Sequence, residues 1–222
     1  MHISTVVRRG ALASLFGGLI FVPYALWKSA VTTRIEATGW HLPGVSVDAT
    51  NQLFHAFEAV PVLLMAAGVA ALAANHENLR YGAGRVGVVV ALGGFAAITV
   101  FHWAEHLYPT VAVSVATASV GVFEAGYYVG WVTTNLGLFV CGLVLTRSPG
   151  RSETVGRVLA LPLPIATAVS CGAVLTGVYT FAGTHRLVAA MTWILVGALL
   201  WLGRNRNSVN SREAPSTTGF SR

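Results

Sequence analysis

Hydrophobic residues fall into six long blocks separated by short polar stretches, and each block has the length of a membrane-crossing helix. The blocks cover residues 10–27, 53–74, 86–107, 120–145, 158–182 and 187–203. A bilayer core needs about 20 apolar residues of helix, so the pattern predicts an all-α, polytopic integral membrane protein with a bundle of six transmembrane helices. Pro61 follows His55 and Glu58 by about one turn in the second block and should bend that helix or release a carbonyl just below those two residues. The third block is stopped by Tyr108-Pro109, and its Gly93-Gly94 pair invites close approach of a neighbour. Residues 110–119 read as a short interfacial or re-entrant piece before the fourth block. Gly126 and Gly130 give that block a GxxxG packing face, with Tyr127, Tyr128 and Trp131 expected as interface anchors. Pro162 and Pro164 fall in the first turns of the fifth block, where a break is allowed but not demanded.

Composition agrees with this pattern. Of 222 residues, 55% are hydrophobic and 10% charged, with a mean hydropathy of +0.67; soluble domains carry roughly 25% charged residues. The formal charge of +6 could suggest a nucleic-acid partner, but the basic residues sit in short clusters between the apolar blocks, so nucleic acid is set aside. Eleven of the 14 basic residues (Arg8, Arg9, Arg80, Arg85, Arg147, Arg151, Arg157, Arg204, Arg206, Arg212, Arg222) fall on one side of the predicted topology. Lys28, Arg34 and Arg186 fall on the other, which places both termini in the cytoplasm of a multi-pass cell-membrane protein. The first block is read as a span and not as a cleaved signal peptide, because it is long for an h-region and no A-x-A site follows it. Residues 1–203 form one transmembrane domain, and 204–222 a polar cytoplasmic tail expected to be disordered. Cys141 and Cys171 both lie in apolar blocks and read as small packed hydrophobes. The expected partners are the lipid bilayer and other membrane subunits or further copies of the chain.

The chemistry concentrates on the outer side. His102, Glu105 and His106 share one face of the third helix: at about 100° per residue, Glu105 lies about 60° to one side of His102 and His106 about 40° to the other. Phe54-His55-Ala56-Phe57-Glu58 repeats the Phe-His-x-x-Glu spacing of Phe101-His102-Trp103-Ala104-Glu105. With Glu124 near the outer end of the fourth helix, three histidines and three carboxylates share one depth, while the inner halves of the spans carry neither. Intramembrane ionisable residues are expensive to bury and mark sites by default. Glu58, the deeper acid, must be protonated, paired or bound to a cation. His41, Asp48 and His185 are assigned to solvated loops, and His2, His76, Glu77, Glu153 and Glu213 to the surface.

This inventory suits a divalent transition metal such as zinc, iron or copper, with His55, Glu58, His102, His106 and Glu124 as ligands and Glu105 and Glu58 as catalytic groups. The order is the reverse of the Glu-x-x-His of di-iron bundles. His102-x-x-Glu105-His106 is similar to the inverted zinc-protease motif, which implies zinc-binding histidines and a glutamate base. Those proteins are soluble and take a further acidic ligand well downstream. The His-x-x-x-His spacing with a third histidine on another helix is similar to membrane hydrolases of the alkaline ceramidase kind, which have seven spans. The resemblances cover a few residues and assign no family. The leading expectation is oxidation or hydrolysis of a lipid-soluble substrate at an outer metal centre. The alternatives are an electron-transfer subunit with haem b held by His55 and His102 or His106, a proton-coupled transporter, and a non-catalytic membrane subunit with a structural polar cluster.

Overall fold

The computed structural model describes residues 3–107, 116–148, 150–176 and 184–213. Within these, several positions are described by their backbone alone, including His55, Glu105, His106 and Glu124. The described residues form eight α-helices and contain no strand: α1 (Ile3–Thr38), α2 (Val47–Ala56), α3 (Ala59–Asn75), α4 (Gly82–Leu107), α5 (Ala116–Thr146), α6 (Arg151–Ala160), α7 (Pro162–Thr176) and α8 (Thr184–Glu213). A single 3-10 turn, Glu77–Leu79, joins α3 to α4.

Four of the helices are long and apolar enough to cross a bilayer, over Thr5–Leu26, Gly82–Ala104, Ala125–Thr146 and His185–Leu202. Their outward faces carry Phe16, Val89, Val129, Leu136 and Leu195, all exposed. An apolar surface this extensive suits a bilayer and not water. The expected second and fifth spans are each interrupted. Helix α3, with 17 residues, rises about 25 Å, and residues 151–176 divide at Leu161 into α6 and α7.

Both interruptions have a proline cause. Pro162 and Pro61 have no N–H to give, so the helical ladder cannot pass through them intact. Leu161 closes α6 by bonding the Arg157 carbonyl at 3.3 Å, and Pro162 opens α7 at its first position. The polar stretch 146–157, expected as a loop, is largely the amphipathic α6: Val155 and Leu159 are buried, while Glu153 and Arg157 pair on the open side. Helix α5 begins at Ala116, so the expected re-entrant piece is helical from there on, and its remaining positions lie outside the described residues.

Helix α1 packs on α3 and α8, α4 packs on α5 and α3, α6 lies on α5, and α7 on α8. Glycines set the closest of these approaches. A Cβ on Gly94 would stand 2.3 Å from Thr134 Oγ1 and 2.7 Å from the Gly130 carbonyl, whereas one on Gly93 would meet open space. The expected close approach therefore belongs to Gly94 alone of that pair, and the GxxxG face of α5 receives α4. Between α1, α3, α4 and α8 the core is filled by Met65, Phe95 and Trp193, with the Phe95 and Trp193 rings 5.9 Å apart.

Candidate functional site

The site is built around the joint between α2 and α3. Phe57 N still reaches the Leu53 carbonyl at 3.1 Å, but Pro61 offers no N–H to the Phe57 carbonyl, which accepts instead from Val60 N at 3.1 Å. The tightened turn sends Phe57 and Val60 outward and Glu58 inward, where it is 0% exposed. It also frees the Ala56 carbonyl, which accepts the indole N–H of Trp103 on α4 at 3.1 Å. The released carbonyl foreseen from Pro61 is thus present and occupied.

Residues from four further helices converge on Glu58. Tyr24 of α1 donates its hydroxyl to Oε2 at 2.8 Å, and Tyr127 of α5 donates to Oε1. Arg186, in the first turn of α8, donates Nε to Oε1 at 3.2 Å and Nη2 to the Tyr127 hydroxyl oxygen at 2.9 Å. Arg186, Tyr127 and Glu58 therefore form a donor chain that ends on the carboxylate. His102 of α4 places Nε2 3.7 Å from Oε2, within ion-pair range and beyond a hydrogen bond. A carboxylate has about four acceptor positions; three are taken by two phenols and a guanidinium, and the imidazole stands near the fourth.

Aromatic rings enclose this centre. Phe21 stacks between Tyr24 and Trp131 at 5.7 and 6.1 Å, the His102 ring lies 5.0 Å from that of Tyr127, and Trp131 meets His185 at 5.1 Å. Tyr127 and Trp131, expected as interface anchors, are each 3% exposed and belong to the interior; Tyr128 alone of the three faces out. His185, assigned to a solvated loop, is buried at the start of α8. A low dielectric strengthens each charged contact and penalises any that is left unmatched.

Of the six expected site residues, the structure brings Glu58 and His102 together. The side chains of His55, Glu105, His106 and Glu124 lie outside the described residues, and their helices place them near the same end of the bundle. Among the described residues no group of three or more His, Cys, Asp or Glu side chains gathers to hold a metal ion. Tyr24, Tyr127 and Arg186 join the site without being among the residues expected there. Arg186 did carry a signal, as an exception to the charge asymmetry in the first turn of an apolar helix at the same end as Glu58. No protein-family model matches the chain, no curated protein matches its sequence, and no solved structure matches its fold.

Proposed function

We propose that the chain is a six-span, multi-pass cell-membrane protein with both termini cytoplasmic, in which the Glu58 centre is a structural lock at the outer face and not a reaction centre. In this reading α2 with α3 form the second span, and the fifth runs from residue 158 at the end of α6 through α7, with the charged start of α6 at the cytoplasmic surface. The observation that carries the lock is the burial and pairing of Glu58: a carboxylate with no accessible surface, held by donors from α1, α5 and α8, ties the outer ends of the bundle together. A catalytic or metal-binding carboxylate needs a lone pair facing a substrate or an ion, and both oxygens here already face protein donors. Glu58→Gln should lower stability by about 3–5 kcal/mol, because it leaves the Arg186 guanidinium without its counter-charge. Thermal unfolding in detergent measures this; an unchanged melting temperature together with loss of a bound cofactor would overturn the lock.

A second reading keeps a metal and gives Glu58 a different place in it. His102 Nε2 faces the Glu58 carboxylate at 3.7 Å, and a carboxylate beside an imidazole is the arrangement that orients metal-ligating histidines. In this version His102 and His106 with Glu105, joined by His55 and Glu124, hold zinc, iron or copper, and Glu58 positions His102. The same histidines suit haem b. Metal analysis and an absorption spectrum of the purified protein, with His102→Ala as control, decide it: stoichiometric metal or a haem band lost in His102→Ala supports this reading, and absence of both leaves the lock alone.

A further inference from the structure

Arg8 and Arg9 stand in the opening turns of α1, at the end of the bundle away from Glu58, and both are exposed. The Arg8 guanidinium lies over the Trp201 ring of α8, 5.6 Å from its centroid, which is cation–π range. The contact follows from the tight seam between the two helices: a Cβ on Gly197, one turn before Trp201, would stand 2.8 Å from the carbonyl oxygen of Ala11, one turn after Arg8. Arg8 is the fourth of the 22 residues of Thr5–Leu26, and Trp201 the seventeenth of the 18 of His185–Leu202. A bilayer crossed by α1 and α8 therefore has its hydrocarbon–headgroup boundary at this pair, the depth at which tryptophan and arginine side chains settle.

What sets this corner apart is a missing counter-charge. At the same end of the bundle, Arg80 bonds the Ala73 and Ala74 carbonyls, and Arg157 pairs with Glu153. Neither Arg8 nor Arg9 has a hydrogen bond or an ion pair among the described residues. Their helices supply no carboxylate: α1 has no acid before Glu36, and α8 none before Glu213, twelve residues or about 18 Å past Trp201. Helix α3, which also borders α1, has none, and Glu77 in the turn after it pairs with neither arginine. An indole face takes up no N–H as a lone pair would, so Trp201 holds the guanidinium in place and leaves its planar fork of donors open.

We propose that this corner binds the phosphate of an anionic phospholipid, with Arg8 giving its fork to the phosphate oxygens, Trp201 fixing Arg8 at headgroup depth and Arg9 adding a second positive charge. Guanidinium and phosphate match in bidentate geometry, and the bond is charge-assisted. Two cations without a carboxylate favour a headgroup of net negative charge over a zwitterionic one, whose own cation they repel. The site depends on α1 and α8 crossing a bilayer and is independent of the role given to Glu58 and of which face is cytoplasmic.

The test titrates the purified, delipidated full chain in neutral detergent with phosphatidylglycerol and with phosphatidylcholine of the same acyl chains, and counts bound lipid by native mass spectrometry. Phosphatidylglycerol should bind about ten-fold more tightly, the discrimination of one charge-assisted contact. Arg8→Gln should abolish that preference, and Arg8→Lys should keep only part of it, since an ammonium is a point charge without the fork. Trp201→Leu should weaken it by freeing Arg8. Arg157→Gln removes the same charge from a paired arginine at the same end and should leave the preference intact. Equal affinity for the two lipids would overturn the proposal, and so would an equal loss in Arg157→Gln and Arg8→Gln, which would reduce the effect to net charge. Excess inorganic phosphate should not displace the lipid; displacement would assign the corner to a free anion and overturn the lipid site. If Trp201→Leu does not fold, the exposed Arg8 and Arg157 variants decide the matter alone.

Discussion

At the scale of single residues, the bundle depends on how one buried charge is matched. Glu58 accepts from Tyr24, Tyr127 and Arg186, and each donor comes from a different helix, so losing any of them disturbs the packing of more than one element. Tyr127→Phe should cost more than Tyr24→Phe, because the Tyr127 oxygen also receives Arg186. Removing it leaves a charged donor unmatched, about 1.5–3 kcal/mol against about 1 kcal/mol; equal losses in equilibrium unfolding would contradict the donor chain. Glu58 and His102 stood out in the sequence because ionisable residues are rare in apolar helices. Tyr24 and Tyr127 did not, since a tyrosine in such a helix is compatible with an interface anchor as well as with a buried donor. Which one it is depends on helix rotation, and rotation is set by neighbours the sequence does not name.

At the scale of elements, six apolar blocks were legible because length and hydropathy are local properties, and the Pro61 joint was legible because the missing N–H is local too. The break at Leu161 was not decided by sequence. A proline in a first turn is equally at home starting a helix, and only the packing of α6 on α5 makes residues 151–160 a helix of their own. Glycine contacts give a sharp check. Gly94→Leu should destabilise by about 1–3 kcal/mol through overpacking. Gly93→Ala should be neutral or stabilising by up to about 1 kcal/mol, since its Cβ meets nothing; parallel melting curves of the two variants measure both.

The opposite end of the bundle is held by a polar joint. His76 lies between Ser152, 3.1 Å from its Nδ1, and Asn75, 3.3 Å from its Nε2, and Asn78 donates to Ser148 at 2.6 Å. Expected as a surface residue, His76 is partly buried, and burial holds its imidazole below the ordinary value. The unfolded chain therefore binds a proton near pH ~6.5 that the folded joint refuses. Stability from this joint is present above that pH and declines as pH falls below it. Hydrogen exchange in residues 75–85 should accelerate between pH 7.5 and 5.5, after correction for intrinsic rates, and His76→Asn should remove the dependence. An unaltered dependence in that variant would assign it to another group.

At the scale of the whole molecule, one end is tied by charge and the other by a polar turn, while glycine contacts along α4 and α5 hold the middle. The proposed orientation puts the Glu58 end outside. In a background with Cys141 and Cys171 replaced by Ala, Leu42→Cys should react with an impermeant thiol reagent in intact cells and Tyr81→Cys should not; the reverse would invert the topology. The central claim is that Glu58 and Arg186 hold the bundle together as a pair, and a double-mutant cycle in equilibrium unfolding tests it most directly. Glu58→Gln and Arg186→Met should each cost about 3–5 kcal/mol, and the double variant should recover much of the loss, since an uncharged pair leaves no buried charge unmatched. Strictly additive losses, or single variants as stable as the unaltered protein, would contradict it.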